Sequence, residues 1–147
     1  MKEYHKARVA SFVILERDGK ILLSRRFNTG YADGEYGLPS GHIEPNEYPL
    51  EAAIREAKEE VGVGIAAKDL ECVHTSYRIN KVDGVGDYVD FFFRTHTWSG
   101  EPLNQEPDKC DELVWASLGE LPENVIPVLR TALESIHKGI RFSEIGR

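Results

Sequence analysis

The chain has 147 residues, of which 41% are hydrophobic and 10% aromatic, so it can form one globular domain over 1–147 with a substantial core. Its formal net charge of −7 argues against a general nucleic-acid binder, because such proteins need a basic surface. No apolar run is long enough to cross a membrane, and residues 1–20 do not have the form of a signal peptide. Cys72 and Cys110 lack metal-ligand spacing, which predicts reduced thiols and a cytoplasmic protein.

The first half of the chain predicts a hairpin, a loop and a helix. Residues 7–15 are apolar and β-branched, and an Asp-Gly turn signal separates them from a second strand over 21–26. Residues 28–37 carry three glycines and predict a long loop, a feature that is often functional in a compact domain. The helix is predicted to begin at Pro49, which suits the first helical position, and to end at Gly62.

The second half of the chain predicts further strands and a second helix. Apolar side chains alternate along the strands, whereas they recur at helical spacing near the end of the chain. The predicted elements are strands over 71–79, 88–98 and 112–116, a glycine-rich turn over 81–86, a polar loop over 101–111 and a helix over 124–137. Strands combined with two helices predict the α/β class.

Three glutamates lie close together in the first predicted helix. Glu56, Glu59 and Glu60 fall at i, i+3 and i+4, which places them on one helical face. Like charges at this spacing repel and destabilise an isolated helix. A hard divalent cation held by oxygen ligands would account for the cluster. A solvated acidic face is the alternative, but it leaves the glycines and the arginine around the cluster unexplained.

The stretch from Gly41 to Val63 resembles the signature of the Nudix hydrolases. This signature is G-x5-E-x7-R-E-U-x-E-E-x-G-U, where U is apolar, and every position of it matches. The matching residues are Gly41, Glu47, Arg55, Glu56, Ala57, Glu59, Glu60, Gly62 and Val63. Weaker similarity at residues 25–26 and 100–102 resembles the MutT-like branch, the nucleoside triphosphate pyrophosphohydrolases. The resemblance implies an α/β/α sandwich in which a mixed β-sheet lies between helices.

The same resemblance implies a set of metal ligands. Glu56, Glu59 and Glu60 would bind the metal together with the backbone carbonyl of Ser40, a position at which many relatives carry glycine. The expected metal is Mg²⁺, with Mn²⁺ as the alternative.

Arg55 and Glu47 would form a buried pair that orients the helix and the preceding loop. An ordinary i, i+4 pair of Arg55 with Glu59 is the simpler interpretation, and both contacts can coexist.

The general base differs among members of this family, which use either a glutamate of the signature or a carboxylate of a distant loop. Glu56 is the first candidate in this chain. Glu106 in the loop over 101–111 is the candidate for a remote base or an extra metal ligand. Asp90 and Asp108 are weaker candidates, and for each of these three acids solvation at the surface is the favoured interpretation.

Arg25 and Arg26 close the second predicted strand and are candidates for binding phosphate, because guanidinium suits bidentate contact with phosphate oxygens. Alternation along a strand sends neighbours to opposite faces, so only one of the two is expected to reach the site. A charged strand end without a ligand is the alternative. Tyr31, Tyr36 and Phe92 are candidates for stacking on a base, with ordinary packing as the competing role.

The resemblance implies a Mg²⁺-dependent hydrolase that cleaves a diphosphate linkage in a nucleotide. Signatures of other subclasses are absent, which favours a nucleoside triphosphate or modified nucleotide, cut to the monophosphate and pyrophosphate. A hydrolase of ADP-ribose or another nucleoside diphosphate derivative is one alternative. A catalytically silent nucleotide-binding module is the other, although the complete set of glutamates argues against it. No nucleic-acid polymer or membrane is expected as a partner, and a homodimer stays open.

Overall fold

A mixed β-sheet with a helix on each face forms the protein, as seen in a computed structural model that describes residues 1–82 and 84–147. In chain order the elements are β1 (Ala7–Arg17), β2 (Lys20–Arg26), β3 (Tyr36–Gly37), β4 (Ser40–His42), α1 (Pro49–Val61), β5 (Glu71–Arg78), β6 (Asp87–Thr95), β7 (Cys110–Ser117), α2 (Pro127–His137) and β8 (Phe142–Ile145). The predicted α/β/α sandwich is confirmed.

Strand β1 pairs with three other strands and lies near the centre of the sheet. The strands follow the order β3-β2-β1-β6-β5-β8, with β4 paired to β1 and β7 paired to β2. The β1–β6 and β5–β8 pairs are parallel and the other pairs are antiparallel. Strand β1 pairs with β4 through Ala10–Phe12, but it pairs with β2 only at Glu16 and Arg17. Strand β4, which carries Ser40, therefore lies beside the middle of β1, across from β6.

Two apolar clusters hold the helices against the sheet. Val13, Ala53, Ala57 and Phe93 belong to the cluster between the sheet and α1, whereas Phe92 belongs to the cluster under α2. Phe92 and Phe93 enter different layers because neighbouring side chains of a strand point to opposite faces. Ala53 and Ala57 have no exposed surface, so these small residues bring the helix backbone close to the sheet.

Helix α1 begins and ends where the sequence predicts. Pro49 occupies the first turn, and the amide of Tyr48 donates to Glu51 Oε1 over 2.9 Å. Gly62 ends the helix with φ of 76°, a left-handed conformation that glycine adopts without steric cost, and its amide donates to the carbonyl of Lys58 over 3.1 Å. These two local signals fix the register in which the glutamates are presented.

Several predicted bounds differ from the structure, each for a local reason. The predicted strand over 88–98 ends at Thr95, because the Thr95 hydroxyl exchanges hydrogen bonds with the backbone of Thr97 and turns the chain. The predicted helix over 124–137 begins only at Pro127, since proline disfavours helical torsions in the residue before it. The sequence does not predict strand β8, because its short segment carries no clear alternation of apolar side chains.

The predicted loops are longer than those of the structure. Strand β3 takes up residues 36–37 of the predicted loop over 28–37, and β7 begins at Cys110 within the predicted loop over 101–111. The predicted turn over 81–86 contains Asp83, which lies outside the described residues. No helix in the described part of the chain is long and apolar enough to cross a membrane.

Candidate active site

Arg55 connects the carboxylates of helix α1 with the loop before it. Its Nε and Nη2 donate to the two oxygens of Glu47 over 2.8 and 3.1 Å, and its Nη1 lies 2.7 Å from Glu56 Oε1 and 3.3 Å from Glu59 Oε2. The side chains of Arg55 and Glu47 are 23% and 14% exposed, so the pair is largely shielded from water. Both interpretations of Arg55, the shielded pair and the i, i+4 pair, are therefore present in the structure.

The Arg55–Glu47 pair shapes the connection between β4 and α1. Hydrogen bonds from the Arg55 guanidinium are the main reason that the pKa of Glu47 lies below its ordinary value. Glu47 also accepts the amide of Glu44 over 2.9 Å, while Arg55 Nη2 donates to the carbonyl of His42 over 3.2 Å. The guanidinium thus binds the loop at both of its ends and holds the first residues of the Nudix signature against its helix.

Glu60 reaches from α1 to strand β4. Its Oε2 accepts the backbone amide of Ser40 over 2.7 Å. Burial, followed by the charge of Glu56, raises the pKa of Glu60 to about 9. Burial is also the largest cause of the raised pKa of Glu56. Two desolvated carboxyl groups in one helical turn disfavour each other's charge, and a bound cation would relieve this repulsion.

Gly41 leaves the space that Glu56 occupies. A Cβ at Gly41 would overlap the Oε1 atom of Glu56. The overlap involves the carboxyl group of Glu56 itself, so any residue larger than glycine at position 41 would displace that carboxyl group. The first glycine of the signature is therefore explained by a close approach of backbone to carboxylate.

The donor types of this region fit a hard metal ion. Carboxylates of α1 and the carbonyl of Ser40 are all oxygen donors, which Mg²⁺ prefers. No group of three or more His, Cys, Asp or Glu side chains within residues 1–82 and 84–147 is arranged to hold a metal ion. In this arrangement Arg55 Nη1 lies between the carboxylates of Glu56 and Glu59. The chemistry of the donor set fits the predicted metal, while its assignment to individual residues stays a prediction.

A cavity of about 630 Å³ opens beside Glu60. The volume falls within the range typical of small-molecule sites, roughly 300–1,000 Å³. Eight candidate residues from the sequence line it, namely Arg25, Arg26, Tyr31, Ser40, Glu60, Asp90, Phe92 and Glu106. Of the other predicted metal ligands, Glu56 packs against the backbone of Gly41, whereas the side chain of Glu59 is 53% exposed.

Arg25 and Arg26 both line this cavity, so the prediction that only one of them reaches it is wrong. The reason is a register shift between them in the β2–β7 pairing, which interrupts the alternation of faces. Arg25 is neutralised by Asp111 at 2.7 Å and Glu112 at 3.0 Å. Arg26 donates instead to the neutral carbonyl of Tyr31 over 2.7 Å, so its charge is compensated only at longer range, by Asp33.

The polar loop over 101–111 brings Glu106 to the cavity. Its charge contributes to the raised pKa values of Glu56 and Glu60, which places it within electrostatic range of both. Lys109 accompanies it, with Nζ 3.9 Å from Glu106 Oε2, and also lines the cavity. The sequence does not single out Lys109, because there it resembles any other charged residue of a polar loop.

Asp90 and Asp108 differ in their surroundings. Asp108 is exposed, as expected. Asp90 is only 2% exposed and forms an ion pair with Arg78, so surface solvation is the wrong interpretation for it. The sequence contains a signal for this pair, because both residues lie in predicted strands, but the partners are known only once the two strands are placed side by side.

The aromatic candidates take different positions. Tyr36 is buried and its hydroxyl donates to Glu112 over 2.9 Å, whereas Tyr31 is 61% exposed at the cavity rim. Phe92 lines the cavity and stacks on Phe12, with ring centroids 4.7 Å apart. Phe12 carries no local sequence signal of a site residue, and its place beside Phe92 follows only from the parallel β1–β6 register.

Comparisons with known proteins agree with this architecture. The NUDIX domain model matches residues 5–136. An RNA pyrophosphohydrolase from Rickettsia bellii is 32% identical over 137 residues, covering 86% of this chain and 84% of the relative. An ADP-ribose pyrophosphatase from Methanocaldococcus jannaschii is 41% identical over 110 residues, covering 75% of this chain and 62% of the relative.

A solved structure of similar fold completes the comparison. It is the MutT NUDIX hydrolase from Burkholderia pseudomallei, which superposes with a TM-score of 0.79 at 32% identity. The match covers 88% of this chain and 98% of that protein. With the full signature over residues 41–63 and a domain match across most of its length, the chain belongs to the Nudix family, in its MutT-like branch, and is a hydrolase of pyrophosphate bonds.

Proposed function

We propose that the protein is a Mg²⁺-dependent hydrolase that cuts a nucleoside triphosphate or a modified nucleotide to the monophosphate and pyrophosphate. One observation carries the proposal: a single cavity joins the carboxylate of Glu60 to an aromatic wall formed by Phe12 and Phe92. A ligand that fills this cavity needs a polar end that tolerates metal and an apolar, flat end. A nucleotide has both.

The polar end of the cavity suits a diphosphate. Glu60, Ser40 and Glu106 supply oxygen atoms, while Arg26 and Lys109 supply positive charge within the same wall. Cations at this end offset the repulsion between the carboxylates and an anionic substrate. Arg26 is the better candidate for phosphate contact, because both carboxylate partners of Arg25 compete with any anion for its guanidinium.

Glu56, Glu59, Glu60 and the carbonyl of Ser40 would hold the metal. When bound, Mg²⁺ supplies charge neutralisation, orientation of phosphate oxygens and a lowered pKa of bound water. The chain itself holds the carboxylates in place: Arg55 positions Glu56 and Glu59, the amide of Ser40 positions Glu60, and Gly41 leaves room for Glu56.

Glu106 is the general base that the geometry favours. It lines the cavity, where a water molecule can lie between it and the substrate, whereas Glu56 Oε1 accepts a hydrogen bond from Arg55 and packs against the backbone of Gly41. Glu56 is the first candidate from the sequence, but its position favours metal binding instead. A base must lie within hydrogen-bond reach of the water that it deprotonates, directly or through one further water.

The second candidate is a nucleoside diphosphate derivative such as ADP-ribose. The 41% identity to the ADP-ribose pyrophosphatase from Methanocaldococcus jannaschii favours it, although the match spans 62% of that protein. RNA is the substrate that the name of the Rickettsia relative gives for that protein. The net charge of −7 argues against a polymer, since the protein offers little compensation for many phosphates.

A substrate panel tests the proposal. Purified protein is incubated with nucleoside triphosphates, ADP-ribose and a 5′-triphosphorylated RNA oligonucleotide, with Mg²⁺ or with excess chelator, and the products are separated by ion-exchange chromatography. We expect nucleoside monophosphate and pyrophosphate from triphosphates, and no turnover with chelator. Cleavage of ADP-ribose alone would show that the substrate is the second candidate. Release of orthophosphate in place of pyrophosphate would contradict the proposed cleavage to the monophosphate.

A further inference from the structure

Arg78 and Asp90 form a fixed ion pair in the wall of the cavity. Arg78 Nε lies 2.5 Å from Asp90 Oδ2, and Nη2 donates to Oδ1 over 3.1 Å. Asp90 also accepts the hydroxyl of Ser76 over 3.1 Å. The ring of Tyr88 lies 4.3 Å from Arg78 Cζ and covers the guanidinium plane. These contacts leave the guanidinium little freedom to rotate, so it presents one geometry to whatever enters the cavity.

One edge of this guanidinium remains for a ligand. Asp90 takes the edge formed by Nε and Nη2, which leaves Nη1 and the second hydrogen of Nη2 as a two-pronged donor. Nη1 has no hydrogen-bond partner among residues 1–82 and 84–147. Since the same part of the chain contains no buried side-chain nitrogen or oxygen without a partner, Nη1 is accessible in a residue that lines the cavity.

The strand register places this donor away from the metal-binding end. Asp90 lies opposite Ala10 of β1, whereas Ser40 lies opposite Phe12, on the other side of the same strand. Two residues along a strand and two inter-strand spacings across it amount to about 12 Å between Asp90 and Ser40. The stacked rings of Phe12 and Phe92 lie at the level of Ser40, and Phe12 belongs to β1, the strand between the two residues. Arg78 therefore faces the end of the cavity that a nucleoside occupies when its diphosphate lies near Ser40.

We propose that Arg78 selects nucleotides whose base offers two adjacent hydrogen-bond acceptors. Guanine offers O6 and N7, and cytosine offers O2 and N3, whereas adenine and uracil alternate donors with acceptors along their edges. Asp90 already compensates the charge of Arg78, which suits a neutral base better than a phosphate. Asp90 acts as a positioning residue, because it holds Arg78 and has both oxygens engaged. The inference rests on the proposed nucleotide hydrolysis and adds the class of base.

Binding of monophosphates tests this selection without any turnover. GMP, CMP, AMP and UMP are titrated into the full chain by calorimetry in buffer with chelator. We expect GMP, CMP or both to bind at least about tenfold more tightly than AMP and UMP, the discrimination typical of a bidentate arginine contact. The inference would be overturned if AMP or UMP bound as tightly as the tighter-binding of GMP and CMP. It would also be overturned if none of the four bound measurably.

The matched variants are Arg78→Lys and Arg94→Lys, the second on the same strand as Asp90. Lysine keeps the charge but loses the two-pronged donor. In Arg78→Lys the dissociation constant for AMP, divided by that for the tighter-binding of GMP and CMP, should therefore fall to about one. Arg94→Lys should leave that ratio as in the wild type. An unchanged ratio in Arg78→Lys contradicts the inference. Absence of triphosphate hydrolysis by the wild-type protein, with its binding ratio as expected, would instead contradict the proposed function.

Discussion

The backbone of Gly41 approaches the carboxylate of Glu56 so closely that a Cβ at Gly41 would overlap Glu56 Oε1. The residue that opens the Nudix signature and a glutamate fifteen positions later in the chain are thus direct neighbours in space. Glycine at this position serves a steric purpose that involves a proposed metal ligand. The relationship makes the site sensitive to the addition of one methyl group.

Gly41→Ala should therefore impair turnover while the fold persists. Because Glu56 must rotate away from the new Cβ, we expect kcat/KM to fall by about 10²-fold, the cost of a misplacement of roughly 1 Å. Overpacking should lower the free energy of unfolding by about 1–3 kcal/mol in urea denaturation. Gly119→Ala is the control, since its added Cβ would meet the His137 ring at an ordinary 3.4 Å. Equal activity of the two variants would remove the steric argument.

Glu60→Gln should abolish both turnover and the response of the protein to metal. The amide keeps the size of the side chain but lacks the charge that a cation needs, so the loss of kcat/KM should exceed the 10–100-fold typical of changes outside the ligand sphere. Saturating Mg²⁺ should raise the Tm of the wild type by about 5–10 °C and leave that of the variant unchanged. A Mg²⁺-dependent rise in Tm that persists in Glu60→Gln is incompatible with the proposed ligand set.

Glu106→Gln should separate catalysis from metal binding. A general base contributes roughly 10²–10⁴-fold, so we expect kcat to fall by that amount while the Mg²⁺-dependent rise in Tm persists. Asp108→Asn, an exposed residue of the same loop, is the matched control and should keep its activity. If Glu106→Gln also loses the response to Mg²⁺, Glu106 is a metal ligand rather than the base.

Arg55→Lys should destabilise the connection between β4 and α1. Lysine cannot reproduce the two hydrogen bonds to Glu47, and we expect a coupling energy of about 1–2 kcal/mol in a double-mutant cycle with Glu47→Gln. The exposed pair of Arg141 and Glu71 provides the comparison, and its coupling should lie below about 1 kcal/mol. Both coupling energies are measured by urea denaturation. Equal coupling energies in the two pairs would indicate that the Arg55–Glu47 pair stabilises the fold no more than an exposed ion pair does.

Asp33, in the loop over residues 27–34, should make the free energy of unfolding depend on pH in the acidic range. The hydroxyl of Thr29, and then the amides of Thr29 and Gly30, hold the pKa of Asp33 below its ordinary value of 3.8. A carboxyl group with a lowered pKa in the folded state stabilises the fold above its unfolded pKa and loses this contribution as the pH falls through the folded pKa. The free energy of unfolding of the wild type minus that of Asp33→Asn should be constant near neutrality and shrink below about pH 4.

This difference in the free energy of unfolding is measured by urea denaturation at a series of pH values. A difference that grows as the pH falls would mean that the carboxyl group is destabilising in its charged form, contrary to the hydrogen bonds of Asp33. Glu35→Gln is the matched control, because the loop amides of Thr29 and Gly30 donate to Asp33 and not to Glu35. This control should leave the free energy of unfolding nearly unchanged at each pH.

Helix α1 and its chemistry could be predicted from the sequence because their signals are local. Pro49 and Gly62 mark the ends, apolar residues recur at helical spacing between them, and the spacing of Glu56, Glu59 and Glu60 places them together without knowledge of any other element. The resemblance to the Nudix signature depends on the same contiguous stretch. These features require only the geometry of one helix and its caps.

The arrangement of charged side chains around the cavity was decided by tertiary structure. The pairing of Arg78 with Asp90 exists because β5 and β6 are antiparallel neighbours in one register, and both Arg25 and Arg26 reach the cavity because a register shift interrupts β2. Strand register depends on contacts between distant segments, and a shift of one residue exchanges the faces of every side chain. The sequence by itself therefore determined the helix that carries the glutamates of the Nudix signature, whereas the partners of the remaining charges were decided by the assembled sheet.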